Sequence, residues 1–325
     1  MNKHLPEVSI LISTKDRRED LRNLLESLDS IDYPKEKLEV VVVEETNSPM
    51  EMDGIKYIPI PQENRGFGHT RNVAVKNAAK DIVVFIDDDC VPEPQWLKEL
   101  VKPFSNERIL GVAGAVKVRN CNAIGLCENV LGFPGGGLKY IHQVRGKERT
   151  TLELSTLNAA YRKIEVIRAG GFDEGSQFGG EDYMLAKLIC MDERCVYVPG
   201  AAVFHKVRGT LMENLKWFIR RGKSDMGVME RLEISRNHLW WILRSSVILK
   251  LLIGGTGIFL LTSNLALSIL PLLLGYYAVN FFSYSYSYRY LKDVRVLFLT
   301  PVLKLIMDIG ADIGRLSYLM FVKLR

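Results

Sequence analysis

The apolar positions of this chain change period several times, and each change marks an element. Residues 8–13 form a compact apolar run that predicts a buried strand, broken by Thr14-Lys15-Asp16-Arg17. Leu21, Leu24, Leu25 and Leu28 then fall at helical spacing. Residues 38–43 read as a second strand closed by Glu44-Glu45-Thr46-Asn47, and 56–60 as a short third. A glycine loop, Asn64-Arg65-Gly66-Phe67-Gly68, precedes a helix at 69–79, and 82–86 is again apolar and β-branched. Beyond it the pattern predicts a helix at 94–104 and a strand at 111–118, then an irregular, glycine-rich stretch at 119–150 read as a mobile lid or acceptor-facing loop. Residues 157–162 lead to a short helix ending at Arg168. Another helix opens at Gly180-Glu181-Asp182, two short strands are expected at 195–198 and 201–204, and a helix starts near Thr210.

This alternation is that of a mostly parallel sheet covered by helices, an α/β fold. Ligands of such sheets sit off the carboxyl ends of the strands. Three strands end in Thr14-Lys15-Asp16-Arg17, in Glu44-Glu45 and in Asp87-Asp88-Asp89, so these segments should share one rim. Adjacent carboxylates repel one another and are costly at the rim of a core unless a cation neutralises them. Oxygen ligands suit Mg²⁺ or Mn²⁺, and Mg²⁺ in particular joins carboxylates to substrate phosphates. A nucleoside diphosphate with its metal would fit this rim, although an isolated acidic turn capping the next helix would look the same. Neither a Gly-x-Gly-x-x-Gly run at a strand end nor a Gly-x-x-x-x-Gly-Lys-Ser/Thr loop occurs, which argues against dinucleotide and P-loop chemistry. His205 closes a strand as Asp89 does and is a candidate metal or phosphate contact.

Composition adds a second region. The net charge of +5 is mild and does not suggest a nucleic-acid partner. The amino terminus is short and polar, unlike a signal peptide. The five cysteines, Cys90, Cys121, Cys127, Cys190 and Cys195, show no zinc or redox spacing and are expected to stay reduced. Residues 251–288 contain no Asp, Glu, Lys or Arg. As one helix they would span about 57 Å, nearly twice a hydrocarbon core of about 30 Å. A hairpin over 246–288, broken near Thr262-Ser263-Asn264 or Pro271, fits better. Arg236, Arg244 and Lys250 before it and Arg289, Lys292 and Arg295 after it place both ends on the cytoplasmic side. A buried helical pair is the alternative. Residues 294–324 are helical in period but carry Lys304, Asp308, Asp312 and Arg315, predicting an amphipathic helix on the membrane surface.

Taken in order, these motifs resemble the family-two inverting glycosyltransferases with the GT-A nucleotide-sugar-binding fold, over about residues 6–225. The resemblance rests on Ser13-Thr14-Lys15-Asp16-Arg17, on Asn64-Arg65-Gly66 with Arg71-Asn72, and on Phe85-Ile86-Asp87-Asp88-Asp89 with Pro92, Pro94 and Trp96-Leu97. It rests also on Gly170-Gly171-Phe172-Asp173-Glu174 and Gly180-Glu181-Asp182. It implies a catalytic domain at 1–230, a nucleotide-diphosphate sugar as donor and Mn²⁺ or Mg²⁺ as cofactor, while the uncharged stretch makes 231–325 the membrane region. Asp89, with Asp87 and His205, would hold the metal, and Asp87 would also meet the donor ribose. Asp182 would be the general base, supported by Glu181. Thr14, Asp16, Arg17, Glu44, Arg65, Arg71, Asp88 and Asn158 would bind substrate, and Arg220, Arg221 and Lys223 would clamp the departing diphosphate. Glu44-Glu45 stands where the family often has Asp. The Gln-x-x-Arg-Trp motif of processive synthases is replaced by Trp217-Phe218-Ile219-Arg220-Arg221, so one sugar per encounter is expected. The acceptor would be a lipid-linked or membrane-proximal glycan, with membrane lipids as further partners. A polyprenyl-phosphate sugar synthase, an inactive nucleotide-sugar-binding membrane module and a nucleotidyltransferase are the rival readings.

Overall fold

A computed structural model describes residues 5–232 and 238–321, so Arg236 and residues 322–324 of the expected last helix lie outside the described residues. The strands are β1 (Val8–Thr14), β2 (Leu38–Glu45), β3 (Lys56–Ile60), β4 (Ile82–Ile86) and β5 (Cys90–Pro92). They continue as β6 (Gly111–Lys117), β7 (Arg149–Thr150), β8 (Asn158–Arg162) and β9 (Cys195–His205). The helices begin with α1 (Arg18–Asp29), α2 (Phe67–Asn77), α3 (Trp96–Val101), α4 (Ala123–Val130) and α5 (Gly137–Val144). Next come α6 (Lys163–Arg168), α7 (Glu181–Ile189), α8 (Leu211–Arg231) and α9 (His238–Ser245). The last four are α10 (Val247–Thr262), α11 (Leu265–Tyr284), α12 (Ser287–Leu291) and α13 (Val294–Phe321). Two compact units result: Met1–Arg119 with Pro134–Lys206, and Asn120–Phe133 with Val207–Arg325.

The first unit holds one sheet in the order β3-β2-β1-β4-β8-β6-β9-β5, with β7 on β9. Period-two alternation divides its core between the two faces. Val8, Ile10 and Ile12 of β1 pack with Val84 and Ile86 under Leu21 and Leu24 of α1 and Trp96 and Leu97 of α3. Leu11, Val41, Val43, Val83 and Phe85 face the other way, against Ala74 and Val75 of α2 and Leu185 and Ile189 of α7. The first four strands are parallel, as expected. The remainder is not: β8 inserts antiparallel between β4 and β6, and β5 and β7 run antiparallel to β9. The sheet is therefore mixed rather than mostly parallel.

Three local expectations are corrected. Residues 119–150 are not an irregular lid but carry α4, α5 and β7. The two strands expected around Pro199-Gly200 are one strand, β9, which shifts register against β6 between Gly114 and Ala115. Cys190 and Cys195 are joined as a disulfide, because the tight turn after α7 brings their Cα atoms to 5.0 Å. Cys90, Cys121 and Cys127 are free thiols.

The second unit is helical, and the expected boundary at 230/231 falls within it because α8 packs along α13. Small residues let these two backbones approach. A Cβ at Gly222 would come within 2.1 Å of the Ala311 carbonyl oxygen, and one at Gly314 within 2.1 Å of that of Ile219. Two charges of α13, Asp312 and Arg315, are turned inward. Arg315 meets Asp225 of α8 at 2.9 Å and Asp312 at 3.0 Å. Asp312, 3% exposed, accepts from Ser246 Oγ at 2.8 Å and from the Ile248 amide at 3.1 Å, capping the start of α10. Of the four charges expected to mark a solvated face, Arg315 and Asp312 are thus neutralised against α8 and the start of α10, while Lys304 pairs with Asp308 on α13 itself. The hairpin breaks at Ser263, in the left-handed region, with Asn264 capping α11, and Pro271 lies inside α11. By length and composition α11 alone among the described helices is long and apolar enough to cross a membrane; α10, with 16 residues, is shorter.

Candidate active site

The parallel run β2-β1-β4 brings Thr14, Glu44 and the Asp87-Asp88-Asp89 triplet to one rim. Asp88 is buried and accepts from Thr14 Oγ1 at 2.7 Å, while Arg17 reaches it at 3.1 Å and Asp89 at 2.9 Å. Burial pushes the Asp88 carboxyl up to about 6, against the pull of Thr14 and Arg17. Asp88, Thr14 and Arg17 therefore brace the turn after β1. Burial would also raise Asp89, but His205 and Arg17 hold its carboxyl below the usual range. His205 is raised in turn: burial works against its charge, and Asp89 more than compensates.

The metal reading can be tested on these atoms. Asp89 Oδ1 is buried without a hydrogen-bond partner; His205 Nε2 lies 3.0 Å away as an ion-pair contact. A buried carboxylate oxygen beside an imidazole nitrogen is a donor set that a divalent cation satisfies. Cys90 Sγ shares the cluster, but burial holds that thiol protonated, and hard cations favour oxygen. Asp89 and His205 fit the expected role. Asp87 is not part of that cluster; its carboxylate lies 3.7 Å from Arg71.

On the β2 side, Glu44 is committed to Arg18 at 3.4 Å and to the Tyr57 hydroxyl. Glu45 instead accepts from the Asn64 amide at 2.6 Å, pairs with Lys15 at 3.2 Å, and lines a cavity of about 200 Å³ with Arg65, Gly66, His69 and Thr70. A second recess of about 460 Å³ is lined by Asp16, Arg18, Asn47 and Gln62, and Gln62 donates to Asp16 at 3.0 Å. Glu45, rather than Glu44, lines the first of these cavities.

Helix α2 carries the third group. It starts after Gly66, whose φ of 88° favours glycine, and docks on the loop at 170–176. A Cβ on Gly68 would stand 2.3 Å from the Asp173 carbonyl oxygen. Asn72 donates to the Phe172 carbonyl at 2.9 Å and accepts from its amide at 2.8 Å. Glu174 gathers Asn72 at 3.0 Å, Arg65 at 3.0 Å and His69 at 3.1 Å. Arg71 is buried, pairs with Glu181, and has the rings of Phe67 and Phe172 centred 5.3 and 5.8 Å from its guanidinium carbon. Asp182 follows Glu181 at the start of α7, half-buried, and its charge acts on Asp87 and Arg71.

Asn158 does not face this rim. It is 2% exposed, accepts from the Trp96 indole at 2.8 Å, and donates to the Ala115 and Ala201 carbonyls at 2.9 Å each, so its amide ties β8 to β6, β9 and α3. The substrate-binding reading of Asn158 is corrected accordingly. Arg220 and Arg221 lie on α8 of the second unit, where Arg221 pairs with Asp225 at 3.2 Å. His69 and Tyr57 had no role in the sequence reading, and Glu174 stood only within the Gly170-Gly171-Phe172-Asp173-Glu174 motif. Only the helical spacing of His69 and Asn72, which puts both on one face of α2, could have linked them.

Residues 9–126 match the family model described as "Glycosyl transferase family 2". Glycosyltransferase AglE of Haloferax volcanii is 24% identical over 251 residues, 73% of this chain and 79% of that protein. Glucosyl-dolichyl phosphate glucuronosyltransferase of the same organism is 24% identical over 233 residues, 62% of this chain and 69% of that protein. Among solved structures, mannosyltransferase PcManGT from Pyrobaculum calidifontis, in complex with GDP-Man and Mn²⁺, superposes with a TM-score of 0.60 at 18% identity, covering 97% of this chain and 88% of that one. That likeness establishes the fold.

Proposed function

We propose that this chain, a glycosyltransferase that carries a glycosyl transferase family 2 domain at residues 9–126, performs metal-dependent, inverting transfer of one sugar from a nucleotide sugar to a lipid-linked or membrane-proximal acceptor. The observation that carries this is the meeting of two carboxylate sets. Asp87 and Asp89 come from the end of β4, and Glu181 and Asp182 from the start of α7, with Arg71 paired to Glu181 and near Asp87.

Asp89 and His205 would hold the divalent cation, which when bound neutralises charge on the leaving diphosphate. The cavity between Glu45 and His69 would take part of the nucleotide. Asp182, in the first turn of α7, accepts the proton of the acceptor hydroxyl as that oxygen attacks the anomeric carbon. The nucleoside diphosphate departs from the opposite face, with no covalent sugar–enzyme step, so configuration inverts.

The acceptor reading is supported by α10 and α11, whose outward residues include Leu260, Leu261, Leu270, Leu274 and Phe282. It is also supported by the relative named for a glucosyl-dolichyl phosphate acceptor. The full chain in anionic liposomes holding polyprenyl phosphate or a polyprenyl-linked sugar, offered UDP- and GDP-sugars with and without Mn²⁺, tests it. Expected is Mn²⁺-dependent release of nucleoside diphosphate with label moving into the lipid phase. Turnover unaffected by a chelator, or label entering only water-soluble acceptors, would overturn the metal and the lipid parts respectively.

A further inference from the structure

Arg71 is a cation enclosed by the fold. It is 8% exposed, flanked by the rings of Phe67 and Phe172, ion-paired to Glu181 and 3.7 Å from Asp87. Glu181 is itself 4% exposed, and its second oxygen, Oε2, has no hydrogen-bond partner. Arg71 is thus the main compensation for a buried carboxylate that sits next to Asp182 in the chain. A buried ion pair is a poor way to gain stability, since well-packed apolar residues do as well or better. Here the pair joins two carboxylate sets that have different tasks. Its helix also reaches the nucleotide side: Arg65, Gly66, His69 and Thr70 of the same segment line the cavity beside Glu45.

We infer that Arg71 is a positioning residue for sugar transfer, holding the Glu181-Asp182 pair at the head of α7 in register with Asp87 at the end of β4. The inference rests on reading Asp182 as the base. This replaces the substrate-binding role expected for Arg71: its guanidinium is taken up by Glu181 and faces Asp87, and it touches no reacting atom in this scheme. It acts through Glu181: the planar guanidinium can grip a carboxylate and still face a second one, which a lysine ammonium does only as a point charge. Without that guanidinium the buried Glu181, next to Asp182 in the chain, would lose its ion-pair partner, and Asp87 the cation 3.7 Å away.

The test uses the full chain in detergent or liposomes, with Mn²⁺·UDP and Mn²⁺·GDP as binding probes and nucleoside diphosphate release from the best of UDP-glucose, UDP-N-acetylglucosamine and GDP-mannose as turnover. Arg71→Gln should lower kcat by about 10²-fold. Diphosphate affinity should change by less than about threefold, as for an interaction that does not contact the ground-state donor. Arg71→Lys should recover part of kcat. In a Glu181→Gln background, Arg71→Gln should cost little more, since residues acting as a unit are non-additive. Should Arg71→Gln fail to fold, the Lys variant carries the test, with kcat reduced at unchanged diphosphate affinity. Wild-type kcat in both variants, equal losses in affinity and kcat, or full additivity with Glu181→Gln would overturn the inference. Wild-type turnover in Asp182→Asn would remove the reading of the base, and the inference with it, whereas failure confined to the Arg71 variants leaves that reading standing.

Discussion

His205 Nε2 stands 3.0 Å from Asp89 Oδ1, and the backbone puts it there: β5 and β9 run antiparallel with Cys90 opposite His205. The acidic turn after β4 and the end of β9 are thereby locked together before any ligand is considered. Asp89→Ala should abolish turnover and metal-dependent donor binding. His205→Ala should raise the Mn²⁺ concentration needed for half-maximal turnover by about 10–100-fold, the range seen when groups tuning a metal site are lost. Titration of activity with Mn²⁺ after chelator treatment measures both. An unchanged Mn²⁺ dependence in His205→Ala would remove the histidine from the metal site.

How much of this was legible depends on whether the signal was local. The rim was, because β1, β2 and β4 each end an apolar run in polar or acidic residues, and parallel pairing aligns such ends. The hairpin break at Ser263 was legible for the same reason: a short polar break interrupts an apolar helix pattern. Asn158-Ala159-Ala160-Tyr161-Arg162 was not identified as a strand, since its alanines lack β-branched character, and its insertion between β4 and β6 fixes the mixed sheet. The partner of Arg71 was equally hidden, because Glu181 is distant in the chain and only the docking of α2 on the 170–176 loop unites them. Arg315 and Asp312 of α13 read as part of a solvated face, yet Asp225 and the start of α10 supply their partners.

That docking gives a stability prediction. At Gly68 a methyl group would meet the Asp173 backbone at 2.3 Å, and backbone yields less readily than a flexible side chain. Gly68→Ala should therefore destabilise the first unit by about 1–3 kcal/mol, as overpacking commonly does. Chemical denaturation followed by tryptophan fluorescence reads it, and an unchanged midpoint would show that the loop at 170–176 shifts freely.

Glu174 adds a pH dependence to the same contact. The Asn72 hydrogen bond, opposed by partial burial and aided by His69 and Arg65, holds its carboxyl below the usual range. A depressed carboxylate contributes stability that is present above its unfolded value, about 4.3, and is lost as pH falls through the lower folded value. Glu174→Gln should thus melt below wild type at pH 7, with the gap closing under acid. A gap that persists at a pH where Glu174 is protonated in both states would assign the effect to packing.

In the helical unit, Asp312 joins Arg315, Ser246 Oγ and the Ile248 amide. Removing one partner of a buried pair typically costs about 3–5 kcal/mol because a charge is left uncompensated. Asp312→Ala should lower the thermal midpoint in detergent markedly, and Asp312→Asn, which keeps an acceptor for the amide and the hydroxyl, should lower it less. Equal loss in both variants would mean that the charge, not the helix cap, does the stabilising.

The decisive variant for the chemistry is Asp182→Asn. A base that works only as the acceptor hydroxyl loses its proton contributes to the transition state and little to the bound donor, so its loss should appear in kcat. General-base catalysis is commonly worth about 10²–10⁴-fold, and kcat should fall on that order. The donor dissociation constant should move by less than about threefold, since the asparagine keeps the size of the aspartate. Asp89→Ala should damage both quantities, which separates a metal ligand from a base within one set of measurements. If Asp182→Asn weakens donor binding as much as turnover, Asp182 is a donor contact. The proton acceptor would then have to be Glu181 or Asp173. Glu181 starts from the weaker position, with Arg71 already occupying one of its oxygens.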